Sequence, residues 1–128
     1  VKRATPERLR DILEAANTAA QIRPSSRHEF DADLKAQLAL TRLVEIIGEA
    51  ANHVAPTVQQ ANSDVPWRAI IGMRHRITHG YFEMDLNALW QVLTVDLPEV
   101  LPRIEQILAE ISAASAGHRA DGRCAQEE

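Results

Sequence analysis

One stretch of the sequence gathers residue types that can do chemistry. It runs Trp67-Arg68-Ala69-Ile70-Ile71-Gly72-Met73-Arg74-His75-Arg76-Ile77-Thr78-His79-Gly80-Tyr81-Phe82. Between Trp67 and His79 lie three arginines, two histidines and no carboxylate, and three of the five aromatic residues of the chain fall between 67 and 82. Arginine presents a planar fork of donors to phosphate oxygens and stays charged. Histidine titrates near neutrality and passes protons. Together they suffice for metal-independent cleavage of an RNA phosphodiester. A histidine takes the 2′-OH proton or protonates the leaving 5′-oxygen, while an arginine stabilises charge on the phosphoryl group. The nucleophile belongs to the substrate, so no metal is needed, and the expected product carries a 2′,3′-cyclic phosphate.

Spacing limits how these groups meet. His75 and His79 are four apart and share a helix face. Arg74 and His79 are five apart, about 140° around a regular helix. They converge only if His79 sits at a frayed end, or if two copies of the segment face each other across a two-fold axis. Plainer readings stand beside this one. A histidine at a helix C-terminus also serves as a dipole partner, and Arg68, Arg74 and Arg76 also read as a solvated face. Tyr81 and Phe82 read as core residues. A His-x3-His pair is a possible metal site, but no acidic or cysteine partner is close in sequence, and no metal is expected. Glu45 and Glu49, one turn apart, either pair with the basic stretch or face water.

The elements that must hold this stretch are helical. Thr5-Pro6-Glu7 predicts a helix start with Thr5 as N-cap, and Leu9, Ile12, Leu13, Ala16 and Ala20 trace its apolar face to near Arg23. Ser26-Arg27-His28-Glu29 reads as a capping box. It opens a long second helix expected to reach Val54, with Leu34, Leu38, Leu43, Ile46, Ile47, Ala50 and Ala51 on its apolar face. Gly48 in mid-helix suggests a close crossing. Residues 57–64 read as a loop or a short helical turn. Pro66-Trp67 opens a third helix reaching His79, with Gly80 as its left-handed terminator. Asp85 caps a fourth. Pro98 and Pro102 predict a kink, or a break capped by Asp96, near residue 97. The expectation is an all-α, antiparallel four- to five-helix bundle with a kinked or split C-terminal helix over residues 1–116, followed by a disordered tail at 117–128.

Composition agrees with a single domain of 128 residues, 45% hydrophobic and 25% charged. The net charge of −4 argues against a generally basic nucleic-acid binder. The basic stretch lies inside an otherwise acidic body, which points instead to a focused anion site. Cys124 is the sole cysteine, so no internal disulfide or cysteine-rich zinc site is possible. No long apolar run spans a membrane, and Val1-Lys2-Arg3 opens no signal-like segment. The expected location is the cytoplasm.

Taken in order, the motifs resemble one family. Arg74-x4-His79-x-Tyr81 looks like the signature of the HEPN superfamily of helical-bundle ribonucleases. Ile46-Ile47-Gly48-Glu49-Ala50, Pro66-Trp67, Ile71-Gly72-Met73-Arg74, His79-Gly80-Tyr81-Phe82 and Asp96-Leu97-Pro98 resemble its HepT-like toxin branch, over roughly residues 5 to 115. The resemblance implies a homodimer joined through the motif helices, with Arg74 and His79 as the catalytic pair in a composite cleft. It implies RNA, tRNA or mRNA, as substrate, and His75, Arg76 and Arg68 of the basic stretch are expected to support RNA binding. His75 stands where the branch usually has Asn. The resemblance also implies a nucleotidyltransferase antitoxin as partner, which uses ATP to place AMP on Tyr81; the chain itself needs no cofactor. The rival reading is a non-catalytic helical module that binds nucleotides or only partners a nucleotidyltransferase.

Overall fold

The computed structural model describes residues 4–80 and 83–127, with side chains described as far as Gly117. Its helices are α1 (Thr5–Ile22), α2 (Arg27–Asp31), α3 (Leu34–Asn52), α4 (Pro56–Ala61), α5 (Trp67–Ile71), α6 (Met73–Ile77), α7 (Leu86–Gln91) and α8 (Leu97–Glu127). A π-helical turn at Val92–Asp96 joins α7 to α8. The fold is all-α, as expected.

α1 packs against α3 and α8. Leu9, Ile12, Ala15, Ala16 and Ala19 face inward, and the small size of the three alanines lets the helices approach closely. The hydroxyl oxygen of Thr5 accepts from the Ala55 N–H at 3.1 Å, so α1 begins where α3 has just ended. That contact also corrects the expected cap. The residue before the helix is Ala4, with no side-chain cap, and Thr5 satisfies another segment's orphan donor instead. At the other end of α1, Arg23 lies over the Trp90 ring at 5.1 Å, and Trp90 meets Phe30 with ring centroids 5.1 Å apart.

The long second helix expected from Ser26 to Val54 is two helices. Ser26 does cap, accepting from Glu29 N at 3.2 Å, but α2 stops at Asp31. Asp33 then caps α3 by accepting from Ala36 N at 3.0 Å. Buried Gln37 closes the joint, its Nε2 donating to the carbonyls of Phe30 (2.9 Å) and Asp31 (3.2 Å). Two aspartates two residues apart offered a second start, and the buried amide fixes it. The break rotates α3, so Leu34 and Leu38, expected in the core, are 62% and 56% exposed.

Gly48 marks a close crossing. A Cβ there would lie 3.2 Å from the Ile71 carbonyl oxygen and 3.3 Å from that of Ile70, so α5 rests directly on α3. Further along, Asp85 caps α7 through Ala88 N at 3.0 Å. The bend expected near residue 97 takes the form of the π turn, where Leu97 N bonds to the Val92 carbonyl. Pro98 supplies no N–H to the turn before it, and the wider turn absorbs that loss. Asp96 caps nothing there; its carboxylate goes to Arg76. α8 spans Leu97–Glu127. Side chains beyond Gly117 lie outside the described residues.

Candidate active site

α5 and α6 take the place of the single helix expected from Trp67 to His79. Trp67, Ile70, Met73 and Ile77 are buried at spacings of three and four, which turns Arg68, Arg74, His75 and Arg76 outward. The Trp67 indole is pinned by Nε1 donating to the Asn62 carbonyl at 3.1 Å. At Gly72 the N–H still makes an ordinary helical bond to the Arg68 carbonyl at 2.9 Å, and the chain tightens just after it, where His75 N–H reaches the Gly72 carbonyl at 3.1 Å. The helix then runs one more turn and ends at Ile77.

His79 therefore lies beyond the helix. Thr78 pairs with Met84 in an isolated antiparallel bridge. His79 N donates to the Glu83 carbonyl at 2.9 Å, and Asp85 N donates to that of Ile77 at 2.6 Å. Gly80 has φ +84°, the left-handed geometry a glycine adopts freely, and reverses the chain inside this loop rather than ending a helix. His79 is exposed. Tyr81 and Phe82, the proposed switch residue and its neighbour, lie outside the described residues.

The basic side chains divide between two faces. Arg74 is 65% exposed and stands on the α3 side, its Nε 3.8 Å from Glu45 Oε1. His75 lines the same side, in a shallow groove with Gly48, Glu49 and Ile71. Arg76 turns to the other face, where its Nη1 donates to Asp96 Oδ2 at 3.1 Å. Arg68 is exposed at the start of the pair. Of the named residues, then, Arg74 and His75 share a groove, Arg76 is held apart by Asp96, and His79 is carried by the following loop. Among the described residues no group of three or more His, Cys, Asp or Glu is gathered as a metal would require.

Sequence reasoning missed the largest concavity beside Arg74. It encloses about 530 Å³ between α3, α6 and the loop, lined by Leu34, Leu38, Arg42, Thr78 and Met84 among others. Glu45 was noticed as a possible partner of the basic stretch; Arg42 was not. The signal available was the i,i+3 spacing of Arg42 and Glu45 on α3, which places them together one turn along. Glu49 is exposed in the shallower groove.

An all-α protein with Arg74 and His75 beside one groove, and exposed His79 on the loop that follows, is the class the fold and site define. The comparisons with known proteins narrow it. Residues 12–107 match the family model described as "Ribonuclease HepT-like". The chain is 32% identical over 108 residues to "Probable ribonuclease HepT" of Thermococcus cleftensis, covering 84% of this chain and 98% of that protein. It is 31% identical over 105 residues to "Putative RNase MJ1380" of Methanocaldococcus jannaschii, covering 81% and 96%. No solved structure matches the chain. The chain belongs to the HepT-like ribonuclease family. No helix among the described residues is long and apolar enough to cross a membrane.

Proposed function

We propose that the chain is the metal-independent ribonuclease toxin of a toxin–antitoxin pair, acting as a homodimer in the cytoplasm and silenced by adenylylation of Tyr81. The observation that carries the reading is Arg74. It lies within the span matched to the ribonuclease family. It is the most exposed of the ion-paired side chains beside the groove, with Arg42, and its nearest carboxylate is 3.8 Å away. A guanidinium so weakly held is available to a phosphate.

In the proposed reaction His79 takes the 2′-OH proton, the 2′-oxygen attacks phosphorus, and Arg74 stabilises the charge gathering on the phosphoryl oxygens. The 5′-oxygen leaves and takes back, directly or through water, the proton that His79 accepted, giving a 2′,3′-cyclic phosphate and a 5′-OH with His79 neutral again. His79 sits on a loop beyond α6, and a second protomer supplies the facing copy that completes the cleft. Arg68, His75 and Arg76 support RNA binding. AMP placed on Tyr81 by a nucleotidyltransferase partner, two residues from His79, would set a bulky nucleotide and a phosphate against the anion site.

The test is cleavage of total RNA in EDTA by wild type, Arg74→Ala and His79→Ala. Wild type alone is expected to cut, leaving cyclic phosphate ends. Equal traces from all three, using protein free of AMP, would reject the ribonuclease reading in favour of a nucleotide-binding module. Products bearing 5′-phosphate and 3′-OH would reject the mechanism. Mixing the two variants tests the composite cleft. If each site takes Arg74 from one protomer and His79 from the other, roughly a quarter of wild-type activity returns, because half the dimers are mixed and each keeps one intact site.

A further inference from the structure

Glu45 faces two arginines at once. Its Oε2 lies 3.3 Å from Arg42 Nη1 and its Oε1 lies 3.8 Å from Arg74 Nε. The carboxylate is 27% exposed, while each arginine is 65% exposed. The same three side chains line both grooves of this face, the large one walled by Leu34, Leu38 and Met84 and the shallow one beside Gly48, Ile71 and His75. They therefore form the divide between the grooves, and a strand passing from one to the other must cross the two guanidiniums.

Neither groove attracts an anion by its overall charge, since Glu83 lines the first and Glu49 the second. Attraction depends on how the guanidiniums are held. A free surface arginine samples many rotamers, and only a restrained one meets a phosphate in register. Arg74 turns Nε toward Glu45, and no described residue accepts a hydrogen bond from its Nη groups. That end is open to a ligand.

We propose that Glu45 is a positioning residue that holds Arg74 and Arg42 as a pair, and that Arg42 is a second RNA contact, binding a phosphate next to the one Arg74 engages on a single strand laid across the divide. This rests on the ribonuclease reading above. It adds a contact outside the Arg-x4-His spacing and gives a role to a carboxylate that would otherwise repel the substrate.

The test uses a labelled single-stranded RNA oligonucleotide, with cleavage followed across a range of salt in EDTA and binding followed by anisotropy. Arg42→Ala should raise KM about five- to tenfold, leave kcat within about twofold, and flatten the dependence of log kcat/KM on log salt by about 0.7, the loss of one phosphate contact. Glu45→Gln keeps both positive charges but loses the restraint. With rates normalised to the folded fraction read by circular dichroism, since lost folded protein alone also lowers apparent kcat at constant KM, its kcat should fall about tenfold while KM does not rise. Arg10→Ala, on α1 away from both grooves, should leave the salt slope unchanged. Wild-type KM and slope in Arg42→Ala overturn the proposal, as does wild-type kcat in Glu45→Gln. Arg42 is exposed, so its variant decides the second contact even if Glu45→Gln fails to fold. A wild-type protein that neither cuts nor binds RNA defeats the ribonuclease reading itself. A wild type that cuts, beside an indifferent Arg42→Ala, defeats only the present inference.

Discussion

Two arginine–carboxylate pairs mark two corners of this bundle and are built differently. At the first, Arg103 of α8 reaches the segment after α4. Its Nε lies 2.7 Å from Asp64 Oδ2, and its Nη2 donates to Asn62 Oδ1 at 2.7 Å. Asn62 in turn accepts the Trp67 indole N–H on its backbone oxygen. At the second, Arg74 of α6 stands 3.8 Å from Glu45 and 65% exposed. Arg76 falls between these extremes, 3.1 Å from Asp96. The first pair ties a long helix to the entry of α5 and so fixes where the basic stretch begins. The second leaves its guanidinium loose. Short distances and shared partners hold Arg103 in one geometry, while the longer, exposed pair leaves Arg74 freer to meet a ligand under the reading proposed above.

The contrast breaks most decisively if the two arginines are truncated in parallel. Arg74→Ala should lower RNA cleavage by about a hundredfold or more, the scale of losing one donor to transition-state charge. Its melting temperature should stay near wild type, since an exposed and distant pair contributes little. Arg103→Ala should do the reverse, melting at a clearly lower temperature while its folded fraction keeps most of the cleavage activity per molecule. Thermal melts beside cleavage rates on the same preparations check both. Matching losses of activity and stability in the two variants would erase the distinction.

Gly48→Ala probes what the first corner supports. Alanine in mid-helix gains about 1 kcal/mol over glycine. Here the added methyl would press on two backbone carbonyls at 3.2 and 3.3 Å, and Trp67 and Ile70, both buried, leave α5 little room to shift. Overpacking of about 1–3 kcal/mol outweighs the propensity gain, so urea unfolding should show a net loss of stability. A stabilised variant would mean that α5 yields easily and that its register over α3 is not fixed.

Much of this architecture was legible in the sequence. Ser26 and Asp85 were readable as caps, because a side-chain oxygen before an apolar run satisfies orphan amides wherever the helix lies. Gly48 was readable as a crossing, and the two prolines as a bend. The joint at Asp33 was not, because it depends on Gln37 turning inward to the carbonyls of Phe30 and Asp31, a tertiary choice that local pattern does not contain. That choice also exposes Leu34 and Leu38 and so creates the large groove. The site was half legible. Residue types singled out the basic stretch and the family resemblance picked Arg74 and His79 from it, but how each arginine is paired depends on carboxylates twenty or more residues away. Asp96 takes Arg76 and Glu45 barely holds Arg74.

Asp96→Asn sharpens that last difference with a smaller effect. Removing the charge that holds Arg76 should release a second cation on the α6 turn at a stability cost under about 1 kcal/mol. RNA binding should tighten by roughly twofold at low salt, and the gain should disappear at high salt as screening removes it. Unchanged binding would mean that Arg76 faces away from the strand even when free.

The smallest effect concerns acid. The hydrogen bond from Arg103 is the main cause holding the Asp64 carboxyl below its ordinary value of 3.8, against a smaller opposing penalty from desolvation. A carboxylate whose pKa is lower folded than unfolded stabilises the protein above the unfolded value, and that contribution is lost as the pH falls through the folded one. The melting-temperature gap between wild type and Asp64→Asn should therefore be constant from neutrality down to about pH 5, then close as the pH drops below 3.8. Arg103 stays protonated throughout this range, its own pKa raised further by Asp64, so the change belongs to the carboxylate. In an Arg103→Ala background the acid-dependent part of the gap should vanish. A gap that keeps closing there would assign the depression to the backbone around Asp64, and the first corner would lose the charge pairing that distinguishes it from the second.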